Sequence, residues 1–298
     1  MFDTIATLDC AGRVLRLDRP QVMGIVNVTP DSFSDGGHHA STAAAVAHAL
    51  ALVEAGADLL DVGGESTRPG AEPVDEASEI ARVLPVIEAL VAKVAVPISV
   101  DTAKPSVMRA ALAAGAGMVN DVMALRADGA LEAVAASRAA VVLMHMQGEP
   151  RTMQRAPHYD DVVGEVHRFL AERVFACEMA GIDKRRIVID PGFGFGKALD
   201  HNMALLAQLR RFTELGVPVL AGLSRKSSLG ELAGRGVDER LAASLAAHLI
   251  AVQNGAMFVR VHDVAATVDA LKVWAAVSGV PLPRGKSATA PIRWPDDE

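Results

Sequence analysis

Along most of this chain, short apolar runs alternate with longer stretches whose apolar residues recur at helical spacing. The runs are "QVMGIV", "DLLDV", "PISVD", "MVND", "AVVLMH", "RIVID", "VPVLAG" and "MFVRV". Apolar runs this short read as strands buried on both faces, the pattern of a parallel sheet covered by helices. Between them, "STAAAVAHALALVEAGA" has a glycine stop at Gly56 and "PSVMRAALAAGA" another at Gly115, as helix C-termini do. Asp160 or Asp161 is placed to cap the longest helix, in which Val162, Val166, Phe169 and Leu170 share one face. "EAGADLLDV", "AAGAGMVND", "LGVPVLAG" and "QNGAMFVRV" repeat one plan: helix, turn, small residue, buried strand.

Eight strand–helix units over roughly 250 residues predict an α/β fold, a (β/α)8 TIM barrel in a single domain. An open, doubly wound sheet also alternates and is the competing architecture. Residues 1–19 precede the first unit, and "TLDCAGRVLRLD" within them reads as a short N-terminal hairpin able to cover the barrel floor. The barrel is assigned to residues 20–280. The tail over 281–298, "PLPRGKSATAPIRWPDDE" from Pro281, is Pro-rich and aperiodic and is expected to be loosely ordered.

Composition narrows the function classes. Apolar residues make up 51% of the 298 and aromatics only 4%, so the core must be built mainly from Ala, Val, Leu and Ile. A net charge of -7 and a pI near 5.7 argue against a nucleic-acid or membrane-surface partner. No apolar stretch reaches membrane-spanning length, and "MFDTIATLDCAGR" lacks the basic start and apolar block of an export signal. Cys10 and Cys177 are far apart and in no metal-like spacing, which fits reduced thiols in a cytoplasmic protein.

In a closed barrel the chemistry sits where strands end and the following loops begin. The residues there are Asn27, Asp61, Asp101, Asn120, His145 and Asp190, then Ser224 with Lys226 and Arg260 with His262. A single Asp after a strand is commonly a helix cap. Polar residues at all eight ends are a different matter, because closure gathers them into one ring. Asp101, Asn120 and Asp190 could pair with a flat, nitrogen-rich heterocycle bearing N–H donors. Lys226, Arg260, His262 and Arg68, the last from "GGESTRPG", could hold a phosphate.

"NVTPDSFSDGG" (Asn27–Gly37) spends eleven residues where a connection of about two to six would do. Two other stretches invite over-reading. "DPGFGFGK" lacks the first glycine and the Ser or Thr of a P-loop, and its glycines fall at every second position, unlike a dinucleotide fingerprint. His38, His39, His145 and His158 lack the two-turn spacing of a zinc site.

"MGIVNVTPDSFSDGG" and "GADLLDVGGESTRPGAEPV" resemble the two signature stretches of the dihydropteroate synthase family of pterin-binding enzymes. "DPGFGFGK", "GLSRKS" and "RVHDV" follow in that family's order, and the resemblance runs from about Gln21 to Ala276. It implies an enzyme of folate synthesis (EC 2.5.1.15) that joins 6-hydroxymethyl-7,8-dihydropterin diphosphate to 4-aminobenzoate, releasing pyrophosphate by a dissociative, SN1-like route. It implies a pterin pocket of Asp101, Asn120, Asp190 and Lys226. Arg260, His262 and Asn27 would hold the diphosphate, with Asn27 also a ligand of Mg2+, the implied cofactor. Thr67 and Arg68 would close over the substrate. Phe33, Pro69, Phe195, Lys197 and Ser227 would border the aminobenzoate site, where sulfonamides would compete. Asp35 and Asp101 would stabilise the developing cation, making the long loop a lid. The resemblance also implies a homodimer. A folate-binding methyltransferase barrel or a non-catalytic pterin-binding paralogue are the alternatives.

Overall fold

The computed structural model describes residues 6–29, 37–66, 72–148, 152–154 and 156–283, and of residues 37–41 the backbone alone. The chain opens on an antiparallel hairpin, β1 (Thr7–Cys10) and β2 (Arg13–Arg16). Ala11 and Gly12 turn it with φ of 55° and 95°, the two left-handed residues that a tight hairpin needs.

Eight parallel strands follow: β3 (Gln21–Asn27), β4 (Leu59–Gly63), β5 (Ile98–Asp101), β6 (Met118–Asp121), β7 (Ala140–Met144), β8 (Ile187–Asp190), β9 (Val219–Ala221) and β10 (Ala256–Val261). They pair in chain order, and β10 returns to β3 with Arg260 opposite Met23, which closes the barrel. Closure excludes the open doubly wound sheet. Each strand coincides with one of the predicted apolar runs.

The helices are α1 (Gly37–Glu54), α2 (Glu76–Val91), α3 (Pro105–Ala113), α4 (Ala130–Ala135), α5 (Val162–Met179), α6 (Leu199–Ala207), α7 (Ser227–Ala233), α8 (Leu241–Gln253) and α9 (Val264–Ser278). Gly56 and Gly115 are left-handed, with φ of 106° and 103°. Asp161 is the cap of α5, its carboxylate accepting from the Gly164 amide at 3.1 Å. Two details differ from expectation. α1 is as long as α5, at 18 residues, because it begins ahead of Ser41. The seventh unit carries two helices, α7 and α8, since Gly234 leaves α7 in a left-handed conformation.

The strands divide the core into two. Val22, Leu60, Val100, Val119, Val141, Ile189 and Val259 face outward into the helix layer. Met23, Leu59, Met118, Ala140, Val142, Val188, Leu220 and Phe258 fill the barrel interior, joined by Leu8, Cys10, Leu15 and Leu17 of the hairpin segment. The hairpin therefore plugs the floor and leaves the opposite end for chemistry. A buried Arg19–Asp58 pair, bonded at 2.6 and 2.9 Å, fixes its exit into β3.

Candidate active site

A two-residue step along a strand keeps a side chain on the same face. One step beyond the apolar interior, Leu59 gives way to Asp61, Met118 to Asn120, Val188 to Asp190 and Phe258 to Arg260. β5 brings in Asp101 at the same level, paired in register with Gly63 and Asn120. The interior thus changes from hydrocarbon to charge within one layer.

Asp61 holds this layer together. Its Oδ2 accepts from Arg260 Nε at 2.6 Å and from Asn120 Nδ2 at 2.9 Å, while Arg260 Nη2 donates to Asp101 Oδ2 at 2.7 Å. Asp61 is wholly buried, and its Oδ1 has no hydrogen-bond partner among the described residues. It is not a strand-end residue, for Val62 and Gly63 continue β4 beyond it. Sequence reasoning placed it in the ring but gave it no role; the available signal was an Asp inside the apolar run "DLLDV".

Burial and the nearby Asp61 charge raise the Asp101 pKa against the pull of Arg260. Burial likewise pushes Asp190 up to about 6, opposed by the Gly192 amide and then by Lys226. Lys226 is pushed down to about 8 by burial, with Asp190 favouring its charge. Burial acts against the charge of Arg260 too, but Asp61 and Asp101 outweigh it and keep the guanidinium protonated.

Two turns complete the mouth. In the first, Asp190 to Lys197, glycines 192, 194 and 196 all have positive φ. A Cβ at Gly192 would overlap the His145 carbonyl, and one at Gly196 the Gln147 carbonyl. The alternate-residue glycines are therefore left-handed joints packed against the end of β7, not a phosphate cradle. The turn sets the Phe195 ring 4.2 Å from the Lys226 ammonium, a cation–π contact. In the second, Ser224 Oγ meets both the amide and Nδ1 of His262, at 3.1 and 3.0 Å. Arg225, at φ 55°, forms a bidentate pair with Asp263. The loops carrying Lys226 and His262 are thereby joined side by side.

Ser227 is exposed as the first residue of α7, directly after Lys226. Lys197, by contrast, is 3% exposed and reaches the mouth only through the turn it ends. The imidazole of His145 also leaves the ring, packing edge-on against Phe169 of α5 at 4.9 Å. Phe33, Asp35, Thr67, Arg68 and Pro69 lie outside the described residues, and the expected lid with them.

Asn27 ends β3 half-buried, opposite Gly63. Its carboxamide oxygen is a hard neutral donor, suited to Mg2+. Among the described residues no three His, Cys, Asp or Glu side chains form a metal cage. One protein oxygen, with phosphate and water completing the sphere, is a common way to hold Mg2+, so the residues fit an ion shared with a diphosphate.

A family model described as pterin binding enzyme matches residues 23–262. The chain belongs to that family. Within the pterin-binding enzymes it is 53% identical over 262 residues to the dihydropteroate synthase of Escherichia coli strain K12, covering 88% of this chain and 93% of that one. Its structure resembles Xanthomonas albilineans dihydropteroate synthase solved with 4-aminobenzoic acid, with TM-score 0.88 and 69% identity, covering 93% of this chain and 100% of that one. The Xanthomonas albilineans enzyme in complex with 7,8-dihydropteroate matches with TM-score 0.85 and 67% identity over 92% of this chain and 100% of that one. This pterin-binding enzyme is thus a transferase of folate biosynthesis, on the dihydropteroate synthase branch.

Proposed function

We propose that this site joins 6-hydroxymethyl-7,8-dihydropterin diphosphate to 4-aminobenzoate, giving 7,8-dihydropteroate and pyrophosphate. The observation that carries the reading is the buried layer in which Asp61 ties Arg260 to Asn120 while Arg260 spans to Asp101. Those carboxylates and the amide offer acceptors to the ring N–H groups of a pterin, and Asp190 with Lys226 borders the same space. Arg260 and His262, two residues apart at the end of β10, would receive the diphosphate. Family membership and the synthase relatives support the same assignment.

The bond between the pterin methylene carbon and the diphosphate oxygen breaks first, its electron pair leaving with pyrophosphate. The electron-rich ring carries the resulting cation, with the Asp101 carboxylate facing it as a stabilising charge. The aryl amine then attacks the methylene carbon and gives up a proton. A weak arylamine nucleophile meeting a cation needs no strong base. Arg260 and His262 draw charge off the departing group, and Phe195 with Ser227 would receive the aryl ring and its carboxylate. Sulfonamides, which share the aryl amine, would compete there. When bound, Mg2+ would neutralise charge on the pyrophosphate, with Asn27 as its ligand on this chain.

The test mixes protein, pterin diphosphate, 4-aminobenzoate and Mg2+ and measures pyrophosphate. Release above background, dependent on the arylamine, is expected; none would overturn the reading and favour a non-catalytic pterin-binding paralogue. The methyltransferase alternative has no support among the relatives described above. Leu232, Leu241, Ile250, Val273 and Val277 leave α7, α8 and α9 with exposed apolar side chains, which supports a homodimer through these helices. A cytoplasmic location fits two buried free thiols and the lack, among the described residues, of any helix long and apolar enough to cross a membrane.

A further inference from the structure

Behind the mouth lies a buried pair, Lys197 and His145, to which the chemistry above gives no step. Lys197 Nζ donates to the Gly192 carbonyl at 2.9 Å, the Phe195 carbonyl at 3.0 Å and the His145 carbonyl at 3.3 Å. Its fourth neighbour is His145 Nδ1 at 3.0 Å. An ammonium has no acceptor to offer, so Nδ1 must be the unprotonated nitrogen and His145 must carry its proton on Nε2. Burial and then the Lys197 charge hold the imidazole far below its ordinary pKa, which agrees with a neutral ring.

Three other carbonyls of the turn accept from neutral side chains. Gln154 Nε2 bonds the Gly194 carbonyl, Tyr159 Oη the Gly196 carbonyl at 2.8 Å, and Asn202 Nδ2 the Lys197 carbonyl at 3.2 Å. Lys197 alone among these reaches back to the start of the turn, to the residue bearing the aromatic ring, and to the end of β7. Three carbonyl oxygens converge on one nitrogen there. Without it the Phe195 and His145 carbonyls would have no donor among the described residues, while the Gly192 carbonyl would keep only the Phe195 amide at 3.1 Å. Burial pushes the ammonium down to about 7, yet four acceptors within 3.3 Å favour keeping the proton.

We infer that Lys197 and His145 act as positioning residues for the second substrate: the buried ammonium pins the Asp190–Lys197 turn and so sets the Phe195 ring against Lys226. This rests on the reading of Phe195 as the wall of the arylamine site. Both would act through the turn, since Lys197 is 3% and His145 7% exposed. Asp190 needs the clamp less, because its own Oδ1 accepts from the Gly192 amide at 2.7 Å and it ends a barrel strand.

Lys197→Met keeps the length of the side chain and removes the ammonium. Its KM for 4-aminobenzoate is expected to rise about tenfold or more, the scale of a displacement near 1 Å. Its dissociation constant for a pterin, measured calorimetrically without arylamine, should change by less than about threefold, near the scatter between independent sites. The ring resonances of Phe195, read by NMR on the substrate-free protein, should move as the ring leaves the Lys226 ammonium. Unmoved resonances would overturn the clamp whatever reaction the protein performs; moved resonances with an unchanged arylamine KM would overturn its role in the second site. Pterin and arylamine affinities falling together would show general collapse and sink the proposal. If Lys197→Met fails to fold, His145→Leu and His145→Asn separate the acceptor from the ring. Both lose the Phe169 contact, but only Asn restores an acceptor near Nδ1. The Asn variant should keep the wild-type arylamine KM more nearly than Leu, and equal values would refute the pairing.

Discussion

Asp61 is where a single atom decides most. Its Oδ2 receives both a guanidinium and an amide N–H inside a barrel that excludes water. Asp61→Asn would turn one acceptor into a donor or leave it neutral, and removing one partner of a buried ion pair costs about 3–5 kcal/mol. The expected outcome is a loss in kcat/KM of at least about a hundredfold together with a lower melting temperature, read by steady-state kinetics and calorimetry. Asp101→Asn should act differently. Asp101 is paired with Arg260 at the upper edge of the layer, so the variant should fold but lose pterin binding in calorimetry. The pH profile follows from the neighbouring pair. Asp101 and Asp190 must both be carboxylates, and burial raises both, Asp190 to about 6, so activity should fall as pH drops toward and through about 6. Lys226 must be charged, so activity should fall again as pH rises through about 8. In Lys226→Arg whatever activity remains should lose the alkaline limb, since a guanidinium stays protonated there.

At the scale of elements, the glycine-bearing turn and the hairpin are the informative pieces. Gly192→Ala would combine a left-handed φ of 72° with a Cβ driven into the His145 carbonyl. That substitution should destabilise by more than about 1–2 kcal/mol, above the usual left-handed penalty, and should depress activity beyond what the stability loss explains. Denaturant melts beside kinetics would check both. The hairpin works at the far end. Leu8 is fully buried against Met23, Leu59 and Phe258 of the barrel interior, in the same cluster. Leu8→Ala should cost about 2–5 kcal/mol of stability while leaving KM values near wild type, because the floor is several layers from the mouth.

The molecule as a whole brings one prediction to one face. α8 packs beside α9 and α7, and α9 exposes Val273 at 69% and Val277 at 86%. On the homodimer reading proposed above, the parent should sediment as a dimer and a paired Val273→Asp and Val277→Asp variant as a monomer. A parent that is monomeric at micromolar concentration would exclude the homodimer.

Much of this architecture was legible from residues in order. The eight apolar runs are the eight strands, because a strand buried on both faces needs an unbroken apolar sequence and little else produces one. Gly56, Gly115 and Asp161 marked helix ends through local conformational preferences that do not depend on distant partners. The resemblance likewise assigned Asp101, Asn120, Asp190, Lys226, Arg260 and His262 together, and the fold brings them to one mouth. Other features belong to tertiary structure alone. Whether Asp61 was a helix cap or the centre of a buried network depended on which side of β4 met Arg260, 199 positions away. His145, read as part of the ring, packs against Phe169 of α5, and Lys197, read as a border of the aminobenzoate site, is buried against the carbonyls of its own turn, because closure places the end of β7 behind the Asp190 turn. Sequence by itself determined the elements, their order and the polar ends, since these follow from local patterning and short-range sterics. Closure of the barrel decided which polar ends meet, which are buried and which carry altered pKa values, because desolvation and charge pairing are properties of distances that only the folded chain creates.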